Sequence, residues 1–275
     1  DTKNYSYADF ANEVNIHTGG ISSTIGVYPS VKDKDDYQVK FEVRTKALYD
    51  KLPEAAALMK EMLFTSNIDD EKRLYEIVAE LKSRLQVSIS SAGHSVASTR
   101  AMTYFSRAAA YKDTITFYET LCDLDEHFNE KKDALIAQLE KMVQTIFVPE
   151  RMIVSVVCEE ADYQAVEAQI AFLLKNLYPS KEIVKERSLP ELHLEKKNEG
   201  FMDASQVLYV ARAGNFRAHG FDYHGALRIL KVIMEYDYLW INIRVKGGAY
   251  GCMNGYMKNG DTYFVSYRDP NLEKT

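Results

Sequence analysis

No run of about 18 apolar residues, the length a helix needs to cross a bilayer, occurs in this 275-residue sequence. Nothing in it is expected to span a membrane. Cysteine is scarce: Cys122, Cys158 and Cys252 are far apart and odd in number. That argues against a disulfide framework and a cysteine metal site, and points to reduced thiols in a cytosol-like, cytoplasmic compartment. An excess of positive charge is missing too, since 34 Lys plus Arg face 40 Asp plus Glu, a formal net charge of -6. A nucleic-acid backbone binder would carry a basic face, so no nucleic-acid partner is expected. The balance fits a cavity that attracts basic peptides without locating one.

The N-terminus, Asp1-Thr2-Lys3-Asn4, has neither an initiator Met nor the apolar core of a signal peptide. At the other end, Pro270 to Thr275 looks like the opening of a further helix. Both ends are expected to be cuts, which would make the function part of a larger one.

What is present is a globular composition, with 46% hydrophobic and 27% charged residues, sufficient for a packed core. Ile21 to Tyr28 reads as a strand after Gly19-Gly20. Tyr37, Val39, Phe41 and Val43 alternate with polar residues, the period of a half-exposed antiparallel strand. Apolar stripes at helical spacing follow over 52–63 and 74–85. Ser90 to Ser98 reads as a break, and helix is expected at 99–110, 117–128 and 135–146. Ile153, Val154, Val156 and Val157 have the pattern of a strand buried on both faces. Another helix is expected from Tyr163 to Leu177. The order predicts an α+β fold, a mainly antiparallel sheet packed against helices.

Residues 181–200 read as a linker between a complete unit at 1–180 and a partial one at 201–275. In the second unit, strand is expected at 207–213, 251–257 and 262–267, with helix at 222–234. Asn259-Gly260 is the turn between the last two strands.

Several chemistries lack their residues. None of His17, His94, His127, His193, His219 and His224 sits in His-Glu-x-x-His or its inverse, and a zinc site needs three or four converging ligands. No Gly-x-Ser-x-Gly is present, and Gly247-Gly248 is not followed by the Lys-Ser or Lys-Thr of a phosphate loop. One constellation remains, Asn242-Ile243-Arg244-Val245-Lys246-Gly247-Gly248-Ala249-Tyr250-Gly251, joining a helix end to a strand. Arg offers a planar fork of donors for carbonyl or carboxylate groups, and Tyr a phenolic donor suited to a developing oxyanion. A glycine C-cap with a packed tyrosine explains the same residues without function.

Leu239 to Gly251, with Ser266-Tyr267-Arg268-Asp269-Pro270-Asn271-Leu272, closely resembles the C-terminal half of presequence proteases, in the pitrilysin or insulinase (M16) group of zinc metallopeptidases. Thr18-Gly19-Gly20-Ile21-Ser22 and Gly93-His94-Ser95-Val96-Ala97 resemble the third domain of that family, so the likeness spans nearly the whole chain in order. The resemblance implies the M16, LuxS-like α+β domain, repeated in two halves that close over a peptide-sized chamber. It implies a zinc endopeptidase for unstructured peptides, with zinc held by the N-terminal half of the same polypeptide. Arg244 would hold the substrate backbone and Tyr250 would stabilise the tetrahedral intermediate, with Gly247 and Gly248 letting substrate approach. No metal ligand is expected in this chain, which alone should be inactive. Two alternatives stay open: a non-catalytic structural subunit of the same fold, and a separately encoded half that pairs with a catalytic one.

Overall fold

A computed structural model describes residues 1–179, 192, 194–273 and 275. The expected linker therefore falls largely outside the described residues, and so does His193. The chain first forms helix α1 (Tyr7–His17), announced by a reciprocal cap: the Ser6 hydroxyl accepts from the Asp9 amide and donates to its carboxylate. Strands β1 (Ile21–Pro29) and β2 (Tyr37–Thr45) then pair as a two-stranded sheet. The pairing is closed at one end by Ser30 N–H to Asp36 O and at the other by Gly19 N–H to Lys46 O, both 2.8 Å.

Helix α2 (Leu52–Phe64) carries Pro53 in its first turn, where no intrahelical donor is needed. The break expected at 90–98 shrinks to Ala92, between α3 (Glu71–Ser91) and α4 (Gly93–Met102). Serine interrupts a helix by competing for its backbone groups. Ser98 instead returns its hydroxyl to His94 O at 2.7 Å, inside the helix. Helices α5 (Arg107–Tyr111), α6 (Thr114–Glu126), α7 (Phe128–Ile146) and α8 (Tyr163–Leu174) follow. The strand expected at Ile153–Val157 does not form, and Ile153 and Val157 are 75% and 100% exposed. Their β-branched side chains favour extended backbone, but a strand exists only when paired, and no described strand runs beside them.

Strand β3 (Ala211–Asn215), helix α9 (Ala226–Ile233), a π-helix over Met234–Lys246, and strands β4 (Gly251–Tyr256) and β5 (Asp261–Tyr267) complete the chain. The antiparallel sheet has the order β3-β5-β4, with Gly251 opposite Tyr267 and Ala211 opposite Val265. Gly260 takes the positive φ of 98° that the β4–β5 turn requires. The fold is α+β, with antiparallel sheets and helices packed on the larger one.

Two compact units divide the chain. The first comprises 1–26, 40–76 and 127–179, where α2 packs on α1 and α8 and Phe64 sits edge-on to Phe147 and Tyr178. The second comprises 27–39, 77–126 and the described residues beyond 191. In it α4 covers β3 and β5, the π-helix lies on β4, and Val96, Met102, Ile115, Leu239, Cys252 and Val265 are buried. Burial of each large aliphatic side chain contributes about 1.5–3 kcal/mol.

Polar pairing also fixes the second unit. The Arg100 guanidinium grips Glu199 through Nε (2.6 Å) and Nη2 (2.9 Å) and Asp113 through Nη1, while Tyr104 donates to Glu199 at 2.6 Å. The Arg100 bonds hold the Glu199 carboxyl down at about 2. A carboxyl whose folded value is depressed adds stability above its ordinary value and loses it as pH falls. Thermal stability is therefore expected to fall between pH 4.5 and about 2. In Glu199→Gln that acid-side loss should shrink, as melting curves across the window would show.

Candidate functional site

The sequence constellation sits at the exit of the π-helix, in the second unit. Gly248, at φ 83°, donates its N–H to Arg244 O (3.0 Å), and Ala249 donates to Ile243 O (3.1 Å). These two bonds close the helix end, and the left-handed residue between them favours glycine. Gly247 answers a different constraint: a Cβ there would stand 2.5 Å from Ile243 O. Asn271 Nδ2 donates to Gly247 O at 2.6 Å, tying the segment after β5 to the cap. Both glycines thus have a local structural reason, and both lie beside Arg244 and Tyr250.

Arg244 is sandwiched. Its guanidinium carbon lies 4.2 Å from the centroid of the Trp240 ring and 5.3 Å from that of Tyr250. Its Nη1 donates to Tyr250 O at 2.5 Å. Among the described residues it forms no ion pair, which leaves the rest of its donor fork for an incoming acceptor. Tyr250 is 63% exposed, and its N–H is shared between Tyr267 O (3.0 Å) and Arg268 O (3.2 Å). Its ring packs edge-on to Tyr267, centroids 5.9 Å apart. The predicted pair is brought together at the surface, with the rings and one carbonyl fixing the guanidinium.

Neighbouring groups narrow the chemistry. Burial raises the Cys252 thiol above its ordinary value, so it is not an activated nucleophile. A cavity of about 520 Å³ lies beneath the π-helix, walled by residues that include Arg212, Asn242, Lys246, Phe264 and Asn271. Neither Arg244 nor Tyr250 lines it. Among the described residues no group of three or more His, Cys, Asp or Glu side chains could hold a metal ion. No described helix is long and apolar enough to cross a membrane.

Three contributors carried no assigned role in the sequence reading. Trp240 stands four residues before Arg244, a spacing that brings side chains together on a helix and was a usable signal. Tyr267 and His94 gave none, because they meet across a long sequence separation, rings 5.0 Å apart and nearly perpendicular.

Two family models match the sequence: the peptidase M16 (subfamily C) associated domain over residues 1–124, and the PreP C-terminal domain over residues 198–275. The chain belongs to the presequence protease-like subfamily C of the M16 peptidases. His94 lies in the first of these matches, and Arg244 and Tyr250 lie in the second. Protein HypA of Clostridium perfringens is 34% identical over the whole chain, which covers 28% of that protein. Presequence protease 1, chloroplastic/mitochondrial, of Arabidopsis thaliana is 27% identical, again over the whole chain and 26% of its own length. The mitochondrial presequence protease of Drosophila melanogaster is 25% identical with the same coverage, 100% and 26%. The chain therefore spans about a quarter of the length of these curated relatives.

Proposed function

We propose that this chain is the C-terminal, substrate-enclosing part of a longer zinc metalloendopeptidase that degrades unstructured peptides inside a closed chamber. The observation carrying this reading is the exposed Tyr250 phenol beside an Arg244 guanidinium with donors to spare, in a family whose relatives include named presequence proteases. Arg244 grips a carbonyl or carboxylate of the peptide backbone. Tyr250 donates a hydrogen bond to the oxygen that gains charge as the peptide carbonyl becomes tetrahedral. Gly247 and Gly248 keep the wall beside them low enough for a peptide to approach.

The described residues do not fit zinc, which this reading assigns to the N-terminal half of the same polypeptide. Closure of the two halves would bring the Arg244–Tyr250 pair to the bound peptide, coupling catalysis to capture. The same reading makes 1–180 the third domain of the longer protein, 181–200 a linker and 201–275 the beginning of a fourth. It places the protein in the cytoplasm, where three unpaired cysteines are stable.

The test gives the longer protein an unstructured peptide and a folded protein of similar composition. Cleavage of the peptide alone, lost on chelation and regained with zinc, is the expected result, with the 275-residue chain inactive by itself. A longer protein that retains zinc yet cleaves no peptide would overturn the reading in favour of a non-catalytic partner subunit.

A further inference from the structure

The exposed Tyr250 is held in place by residues the proposed mechanism does not use. Its N–H is shared by the carbonyls of Tyr267 and Arg268. Arg268 sits at φ 50°, a left-handed backbone that is strained for a non-glycine residue and persists only where the surroundings over-determine it. The surroundings here are aromatic. The Tyr267 ring is flanked by Tyr250 at 5.9 Å, Tyr209 at 5.6 Å and His94 at 5.0 Å, the last at 84°. The edge-to-face contacts that His94 and Tyr250 make with Tyr267 set ring direction as well as adding stability. His94 is the second residue of helix α4, and its Nδ1 is buried with no hydrogen-bond partner among the described residues. Gly93 before it is required by Tyr209, whose ring would lie 2.3 Å from a Cβ. One end of α4 thus presses on the two rings behind Tyr250.

We propose that His94 and Tyr267 are positioning residues: they fix the strained Tyr267–Arg268 turn and thereby aim the Tyr250 phenol. Neither touches the reacting atoms. The first consequence concerns the chain alone and is independent of any activity. With 3-fluorotyrosine at position 250, the folded chain should give one sharp fluorine resonance. His94→Leu, which keeps bulk and removes the ring edge, should broaden or split it at unchanged circular dichroism, and His94→Phe should restore it. A resonance equally sharp in His94→Leu overturns the proposal.

The second consequence rests on the proposed peptidase reading. In the longer protein His94→Leu should lower kcat about 10- to 100-fold with little change in KM, the scale of a misaimed catalytic group. In a Tyr250→Phe background the same change should cost almost nothing more, because there is no phenol left to aim. Equal losses in both backgrounds would mark a structural residue and overturn the proposal. If Tyr250→Phe alone leaves kcat unchanged, the peptidase role fails while the resonance still decides the positioning.

Discussion

Replacing Tyr250 by Phe in the longer protein is expected to slow peptide turnover about 10- to 1000-fold, the range for removal of one oxyanion donor. The substitution deletes one oxygen from a side chain that is 63% exposed. Everything holding Tyr250 survives it: the shared N–H bonds are backbone, and the contacts with Tyr267 and Arg244 involve the ring face or edge. Melting temperature and KM should therefore stay near those of the parent, and kcat alone should fall. Steady-state kinetics on a fluorogenic peptide would measure both. Unchanged kcat in a folded variant removes the phenol from the mechanism.

Arg244→Ala should lower kcat/KM by about 10- to 150-fold, the equivalent of one hydrogen bond to a charged group. The loss should appear chiefly as a higher KM, since in the proposed role the guanidinium would hold substrate in ground and transition states alike. A smaller decrease in kcat is expected as well, because Arg244 bonds Tyr250 O and lies against its ring. Arg244→Lys should recover little. An ammonium is a compact charge that cannot stack between Trp240 and Tyr250 while presenting a planar fork. Full recovery by Lys would reduce Arg244 to a general positive charge.

Local patterns were legible and non-local ones were not. Tyr37 to Val43 alternates cleanly and forms β2, and Asn259-Gly260 makes the β4–β5 turn with Gly260 at positive φ. The Arg244–Tyr250 constellation also read correctly as the junction of a helix end with a strand. The continuation of α9 into a π-helix was hidden, because its wider turn spreads apolar residues off the stripe that marks an α-helix. Ile153 to Val157 misled because pairing depends on residues elsewhere in the chain. The ring contacts of His94 and Tyr267 were invisible for the same reason.

The central claim is that Tyr250 binds the tetrahedral state of the peptide more tightly than the peptide itself. A phosphinic peptide, which mimics that state, measures this directly against an uncleaved peptide of the same sequence. In the zinc-loaded longer protein, Tyr250→Phe should weaken the phosphinic peptide by the factor by which it lowers kcat/KM, leaving the uncleaved peptide unaffected. Equal affinity of parent and variant for the phosphinic peptide would contradict the account.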